Sequence, residues 1–143
     1  MTLQEYVDSL RGKRVAVLGI GVSNTPLIDL LLDNGLPITV CDMGYECTME
    51  DEAEILSTRG AELRLGSGYL DGLEGFDVIF RTPGLLPTDP HLVAAREHGA
   101  TVTSEMEAFF QLCPCRTIGI TGSDGKTTTS SIIAELLKAG GKR

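Results

Sequence analysis

Apolar residues fall along this chain in short continuous runs separated by longer amphipathic stretches, and the two patterns alternate. Lys13 to Gly19 holds the unbroken run Val15-Ala16-Val17-Leu18, which predicts a strand buried on both faces in a parallel sheet, because a strand with one wet face would alternate. Ser23 to Asn34 then carries Leu27, Ile28, Leu30, Leu31 and Leu32 at helical spacing and stops at Asn34-Gly35, a C-terminal signal. Pro37 to Cys41 reads as the second strand, completing a right-handed βαβ unit. A short helix over Thr2 to Leu10 precedes it. Downstream the pattern predicts a helix from Glu50 to Arg59, strands at 61–65 and 77–80 separated by a Gly-rich stretch, and a helix from Pro90 to His98. A short strand at 101–103 and a helix from Ser104, its cap, to Leu112 follow. Sustained alternation of this kind argues for an α/β fold, a doubly wound parallel sheet of Rossmann-like type, over residues 1–113.

After a turn at Cys113-Pro114-Cys115 the period starts again. Arg116 to Ile120 is expected to be a strand, Thr121 to Thr129 a loop, and the following residues a helix to Ala139, before Gly140-Gly141. Residues 114–143 thus read as the first strand, phosphate loop and helix of a truncated second α/β domain. The alternative is that this unit adds an edge strand to the first sheet.

Composition narrows the function. Hydrophobic residues make up 42% and charged residues 22% of the 143, as in folded globular domains. The formal net charge of -8 argues against a nucleic-acid partner, which needs clustered Lys and Arg. It does not exclude a small phosphorylated ligand, since backbone amides at a helix start hold phosphate without net positive charge. No stretch approaches the roughly 20 apolar residues that span a bilayer, and the N-terminus lacks a leader pattern, so a cytoplasmic protein without membrane insertion is expected. Cys41, Cys47, Cys113 and Cys115 lack the paired spacing of a structural zinc site and are expected to be reduced, mostly buried thiols. The acidic run Glu50 to Glu54 suits the positive end of a helix dipole.

Two candidate phosphate loops carry the chemistry. The first, Gly19-Ile20-Gly21-Val22-Ser23-Asn24, lies between the first strand and the first long helix. Its glycines permit close approach of a phosphate to the amides of Val22 and Ser23, although Asn24 stands where a dinucleotide fingerprint has its third glycine. A plain βα turn is the other reading. Asp42, ending the second strand, stands where such folds place an acid for ribose hydroxyls; it also reads as a solvated loop acid. Thr82-Pro83-Gly84 forms a rigid turn after the 77–80 strand. The second loop, Thr121-Gly122-Ser123-Asp124-Gly125-Lys126-Thr127-Thr128, has the strand-loop-helix setting of a nucleoside-triphosphate site. Its amides would cradle phosphate, Lys126 would neutralise charge on the β and γ phosphates, and the Thr127 hydroxyl would ligate Mg²⁺. Ile120 occupies the first-glycine position of the general motif. His91 and His98 bound one helix and are expected to be structural. Glu105 and Glu107 project differently, which argues against a paired acid/base role.

The loop at 121–128 resembles that of the Mur ligases and the related folylpolyglutamate synthetases. Together with Gly19-Ile-Gly-Val-Ser, Thr82-Pro83-Gly84 with Pro90-His91 downstream, and Ser104-Glu105-Met106-Glu107, it is most similar to the D-glutamate-adding branch of the Mur ligases. The resemblance implies an ATP-dependent acid–amino-acid ligase of peptidoglycan precursor synthesis, acting on UDP-N-acetylmuramoyl-L-alanine, D-glutamate and ATP through an acyl phosphate. It implies UDP-substrate contacts at Gly21, Val22, Ser23, Asp42, Met43, Thr82, Pro83 and Gly84. ATP contacts are implied at Gly122, Ser123, Asp124, Gly125, Lys126, Thr127 and Thr128, with Mg²⁺ at Thr127. Met43 and Gly44 depart from the hydroxyl and basic residues that often follow the aspartate, and Asp124 stands for a common Asn. No catalytic set is complete within these residues, so the chain alone is expected not to turn over; a monomer is expected. The competing readings are an NAD-binding Rossmann domain and a Mur ligase for a different amino acid.

Overall fold

The computed structural model describes residues 1–44 and 50–142 and divides the chain into two compact units, Met1–Leu112 and Cys113–Arg143. In the first, five strands form one parallel sheet: β1 (Val15–Leu18), β2 (Ile38–Asp42), β3 (Glu62–Leu65), β4 (Val78–Arg81) and β5 (Thr101–Ser104), in the order β3-β2-β1-β4-β5. Helices α1 (Leu3–Leu10), α2 (Thr25–Asp33), α3 (Glu50–Thr58), α4 (Pro90–Glu97) and α5 (Glu105–Leu112) alternate with them. This is the doubly wound Rossmann-like fold that the apolar pattern predicts. From β1 the chain winds outward through β2 to β3, then returns to the opposite side of β1 for β4 and β5. The reversal falls between β1 and β4, where such sheets open a crevice at the strands' carboxyl ends.

All four residues of β1 are buried, and its side chains serve two layers in turn. Val15 and Val17 pack with Tyr6, Val7 and Leu10 of α1, Leu27, Ile28 and Leu31 of α2, and Ala108 of α5. Ala16 and Leu18 pack on the other face with Leu73 and with Leu92 and Ala95 of α4. The period of two along a strand thus produces two cores from one apolar run. Edge strands β3 and β5 contain exposed or half-buried residues throughout, as edges with one neighbour do.

Local signals set the helix starts. Thr2 Oγ1 accepts from Glu5 N at 3.2 Å while Glu5 Oε2 accepts from Thr2 N at 2.7 Å, a full capping box. Ser104 Oγ accepts from Glu107 N at 3.3 Å and donates to Glu107 Oε2 at 3.2 Å, so Glu107 serves its helix start. His98 Nδ1 lies 2.8 Å from Ala94 O at the end of α4, a structural placement.

In the second unit, α6 (Lys126–Ala139) forms as expected, but residues 116–120 carry no strand pairing. A strand exists by virtue of ladder bonds to a neighbour, and this segment has none among the described residues. The thiols differ from expectation as well. Cys41 is buried, Cys113 is half-buried and Cys115 exposed, while Cys47 lies outside the described residues. Cys41 alone sits inside the sheet; the other two occupy the turn between units, where no core forms. No helix among the described residues is long and apolar enough to cross a membrane.

Candidate functional site

The loop after β1 is built by side chains that tie it to three strand ends. Gly19 has φ +93° and its N–H donates to Cys41 O at 2.6 Å; the backbone favours glycine, and a Cβ there would also sit tightly, 3.3 Å from Thr82 Cβ. Ile20 N donates to Asp42 Oδ2 at 2.6 Å, and Gly44 N to Asp42 Oδ1 at 2.7 Å. The Asp42 carboxylate therefore pins the loops after β1 and β2 to each other. This adds a positioning role to the ligand role expected of it. Each oxygen keeps a lone pair for a ligand donor.

Asn24 explains the missing third glycine. It is 2% exposed, and its Nδ2 donates to Leu18 O at 2.7 Å and to Gly19 O at 3.3 Å. The side chain folds back beneath the loop and does with an amide what a tight glycine turn does with backbone. Its Oδ1 is buried without a hydrogen-bond partner. The carbonyl of Gly21 accepts from Asn24 N, from Thr25 N and from Thr25 Oγ1, which turns the chain into α2. The N–H groups of Gly21, Val22 and Ser23 find no protein acceptor among the described residues, and they stand at the start of α2, where an anion is favoured.

A cavity of about 310 Å³ opens above this loop, lined by Gly19 to Asn24, Asp42, Met43, Tyr69 and Thr82. It gathers Gly21, Val22, Ser23, Asp42, Met43 and Thr82 from the expected set. Pro83 instead lines an adjoining cavity of about 200 Å³ with Asn24, Arg81, Ser104, Glu105 and Met106, and Gly84 is exposed and lines neither. Arg81 holds the turn between them, its Nη1 donating to Leu85 O at 3.2 Å. Four cavity residues, Gly19, Ile20, Asn24 and Tyr69, are missing from the expected set of substrate contacts; the first three belong to the candidate loop read from the sequence, and Tyr69 does not. Asn24 announced itself only as a polar residue in a glycine position, and Tyr69 sits in the Gly-rich stretch that reads as a connector. Burial, with the negative charges of Asp42 and Asp89, raises the Tyr69 phenol above its ordinary pKa, so it is neutral at physiological pH.

A larger concavity, of about 510 Å³, lies at the opposite end of the strands and includes Lys13, Arg14, Pro37, Gly60, Arg64 and Phe76. The connectors that follow α2 and α3 end there, and cations beside helix C-termini answer the negative end of the dipole. Arg64 is also committed, stacked 5.1 Å from the Phe76 ring centroid.

In the second unit, Gly122 (φ +154°) and Gly125 (φ +73°) shape the turn into α6. Lys126 Nζ folds back to donate to Gly122 O at 2.6 Å and Ser123 O at 3.3 Å. Thr127 stands in the first turn of α6, and its hydroxyl has no partner among the described residues. The loop thus presents helix-start amides, one ammonium group and several hydroxyls, that of Thr127 among them. Groups of three or more His, Cys, Asp or Glu able to hold a metal are absent among the described residues.

Comparison with known proteins gives this geometry its family. The curated UDP-N-acetylmuramoylalanine--D-glutamate ligases of Clostridium novyi (strain NT) and Acetivibrio thermocellus are each 47% identical to the chain, covering 98% and 97% of it. The chain spans 31% and 30% of their lengths. A remote likeness links it to the crystal structure of a shikimate 5-dehydrogenase from Mycobacterium fortuitum, at 16% identity and a TM-score of 0.45 over 71% of this chain and 49% of that one. The family model of the Mur ligase MurD-like N-terminal domain matches residues 13–104, from the entry to β1 to the end of β5, and so takes in both loops that pin the cavity. The chain therefore belongs to the MurD-like Mur ligases.

Proposed function

We propose that the parent protein is an ATP-dependent ligase of peptidoglycan precursor synthesis that joins D-glutamate to UDP-N-acetylmuramoyl-L-alanine. The first unit would bind the UDP end of that substrate. The observation that carries this is the cavity at the carboxyl ends of β1, β2 and β4, with the amides of Gly21, Val22 and Ser23, which have no acceptor among the described residues, on one side and the Asp42 carboxylate on the other. Amides suit a diphosphate, and a carboxylate with spare lone pairs suits hydroxyl or N–H donors of a nucleoside. Relatives bearing the D-glutamate ligase name support the choice of substrate.

The second unit would bind ATP. In the overall reaction the terminal phosphoryl group passes to the substrate carboxylate with release of ADP. The amine of D-glutamate then attacks the acyl carbon and expels phosphate, forming the amide. Among the residues present, the amides from Gly122 to Lys126 would hold phosphate oxygens, and Lys126 would exchange its two carbonyl acceptors for phosphate. Ser123, Asp124 and Gly125 form the turn, and Thr127 with Thr128 opens the helix. Thr127 would offer its hydroxyl to Mg²⁺, which when bound neutralises phosphate charge.

Calorimetric titration of the chain tests the assignment. UDP and UDP-N-acetylmuramoyl-L-alanine are expected to bind, ATP with Mg²⁺ to bind independently, and NAD not to bind. Tight NAD binding without detectable UDP binding would overturn it. Lys126→Ala is expected to abolish ATP binding and leave UDP binding intact; loss of UDP binding instead would mean that the two loops are wrongly assigned.

A further inference from the structure

The cavity above the β1 loop has an apolar side that phosphate chemistry does not use. Met43, directly after Asp42, is 70% exposed, and among the described residues Tyr69 is the one aromatic that lines the same cavity. Backbone hydrogen bonds fix the route by which Tyr69 arrives. Gly66 N donates to Asp42 O at 3.0 Å and to Gly44 O at 2.9 Å, which stitches the chain after β3 to the end of β2. Tyr69 N then donates to Gly66 O at 3.2 Å, closing a turn that brings the residue back beside that end. The half-buried Tyr69 packs against the cluster of Leu18, Cys41, Leu70 and Leu73. Its position is therefore braced by the core and does not depend on a mobile side chain. The amides that suit phosphate belong to the β1 loop, whereas the aromatic ring and the thioether belong to the β2 end. A ligand with an anionic part and a flat unsaturated part fits this division, and an exposed methionine beside a braced ring leaves apolar surface for a heterocycle to cover.

We infer that Tyr69 is the base platform of the nucleotide site: the pyrimidine of a UDP-linked ligand stacks on its ring, and Met43 closes against the base from the loop after β2. This rests on the UDP-substrate reading above and extends it to a residue that determines specificity. Stacking requires the flat ring and not the hydroxyl. Loss of a single base–aromatic stack, taken at the lower end of such interactions because Leu keeps apolar contact, should weaken UDP about tenfold, or about 1.4 kcal/mol.

The experiment compares UDP with inorganic pyrophosphate, which has the anionic part and no base, by calorimetry on the whole chain. Tyr69→Leu keeps apolar bulk against the core and removes the flat ring; Tyr69→Phe keeps the ring. The expected result is a roughly tenfold loss of UDP affinity in Tyr69→Leu, unchanged pyrophosphate affinity, and Tyr69→Phe close to the parent for both. The inference is overturned if Tyr69→Leu binds UDP like the parent. It is equally overturned if UDP and pyrophosphate weaken together, which marks a structural role, or if Tyr69→Phe falls as far as Tyr69→Leu, which marks the hydroxyl. A parent chain that folds and binds neither ligand refutes the UDP-substrate reading itself, an outcome distinct from all of these.

Discussion

Replacing Asn24 by Asp changes one NH₂ group to an oxygen and converts the loop's internal brace into a pH-dependent fault. The side chain is 2% exposed, and its Nδ2 faces the carbonyl oxygens of Leu18 and Gly19. An ionised carboxylate there would meet two acceptors and no donor. The chain escapes by keeping the new acid protonated, so that one O–H replaces two N–H donors at a cost of about 1 kcal/mol for the lost hydrogen bond. In the unfolded chain the same acid ionises near pH 3.9, and each pH unit above that adds about 1.4 kcal/mol to the cost of holding the proton. The sign follows from linkage: a folded value raised above the unfolded one leaves stability intact below the unfolded pKa and removes it as pH rises. The loss is therefore expected to be about 1 kcal/mol near pH 4 and to grow toward about 5 kcal/mol near pH 7. Urea denaturation followed by far-ultraviolet circular dichroism at several pH values, parent minus variant, measures it. Asn24→Ala is the control, with a loss of about 1–2 kcal/mol that does not vary with pH. A parent-minus-Asp difference that stays flat across this range would refute the account of Asn24 as a buried donor.

Two further predictions concern the sheet ends. Gly19→Ala should destabilise the first unit by about 1–3 kcal/mol for the positive φ alone, read as a lowered urea midpoint. Adding Thr82→Ala should restore little, because it leaves the backbone strain in place and removes only atoms at ordinary contact distance, 3.6 Å from the new Cβ; full rescue would show that side-chain crowding and not backbone is at fault. Burial pushes the Cys41 thiol up to about 11, so alkylation of the folded chain near pH 8 should modify Cys115 and spare Cys41 until denaturant is added, as read by peptide mass mapping. The same shift means that Cys41 favours folding below its ordinary value and that this contribution is lost as pH rises from about 9 to about 11. Labelling of native Cys41 at the rate of Cys115 would contradict its burial.

The fold was legible because its three central strands are buried on both faces and its helices are not, so one period gives way to the other at most boundaries. β1 is the clearest case. Residues 116–120 suit a strand by composition and carry no pairing among the described residues, because a ladder needs a neighbouring strand. Within the site, the glycines and Asp42 could be found from spacing. The second role of Asp42, as acceptor for Ile20 and Gly44 amides, could not, because it depends on the separation of two loops across the sheet. Asn24 was read as a departure from a glycine pattern, since nothing local reveals a side chain folding beneath its own loop. Tyr69 was hidden by flexible-looking neighbours whose amides prove to be stitched to β2.

The reversal of winding between β1 and β4 makes the opening above the β1 loop a property of the strand order. The connections leave these two adjacent strands toward opposite layers, so the gap does not depend on the size of the side chains that line it. Val22, Ser23, Met43 and Thr82 can then be exchanged for residues of other shape and polarity without closing the mouth, provided that Gly19, Asn24 and Asp42 keep the rim in place. Apart from Asp42, which pins two loops and also belongs to the proposed ligand contacts, recognition and architecture fall to different residues here, which leaves this end of the sheet free to change its ligand while keeping its frame.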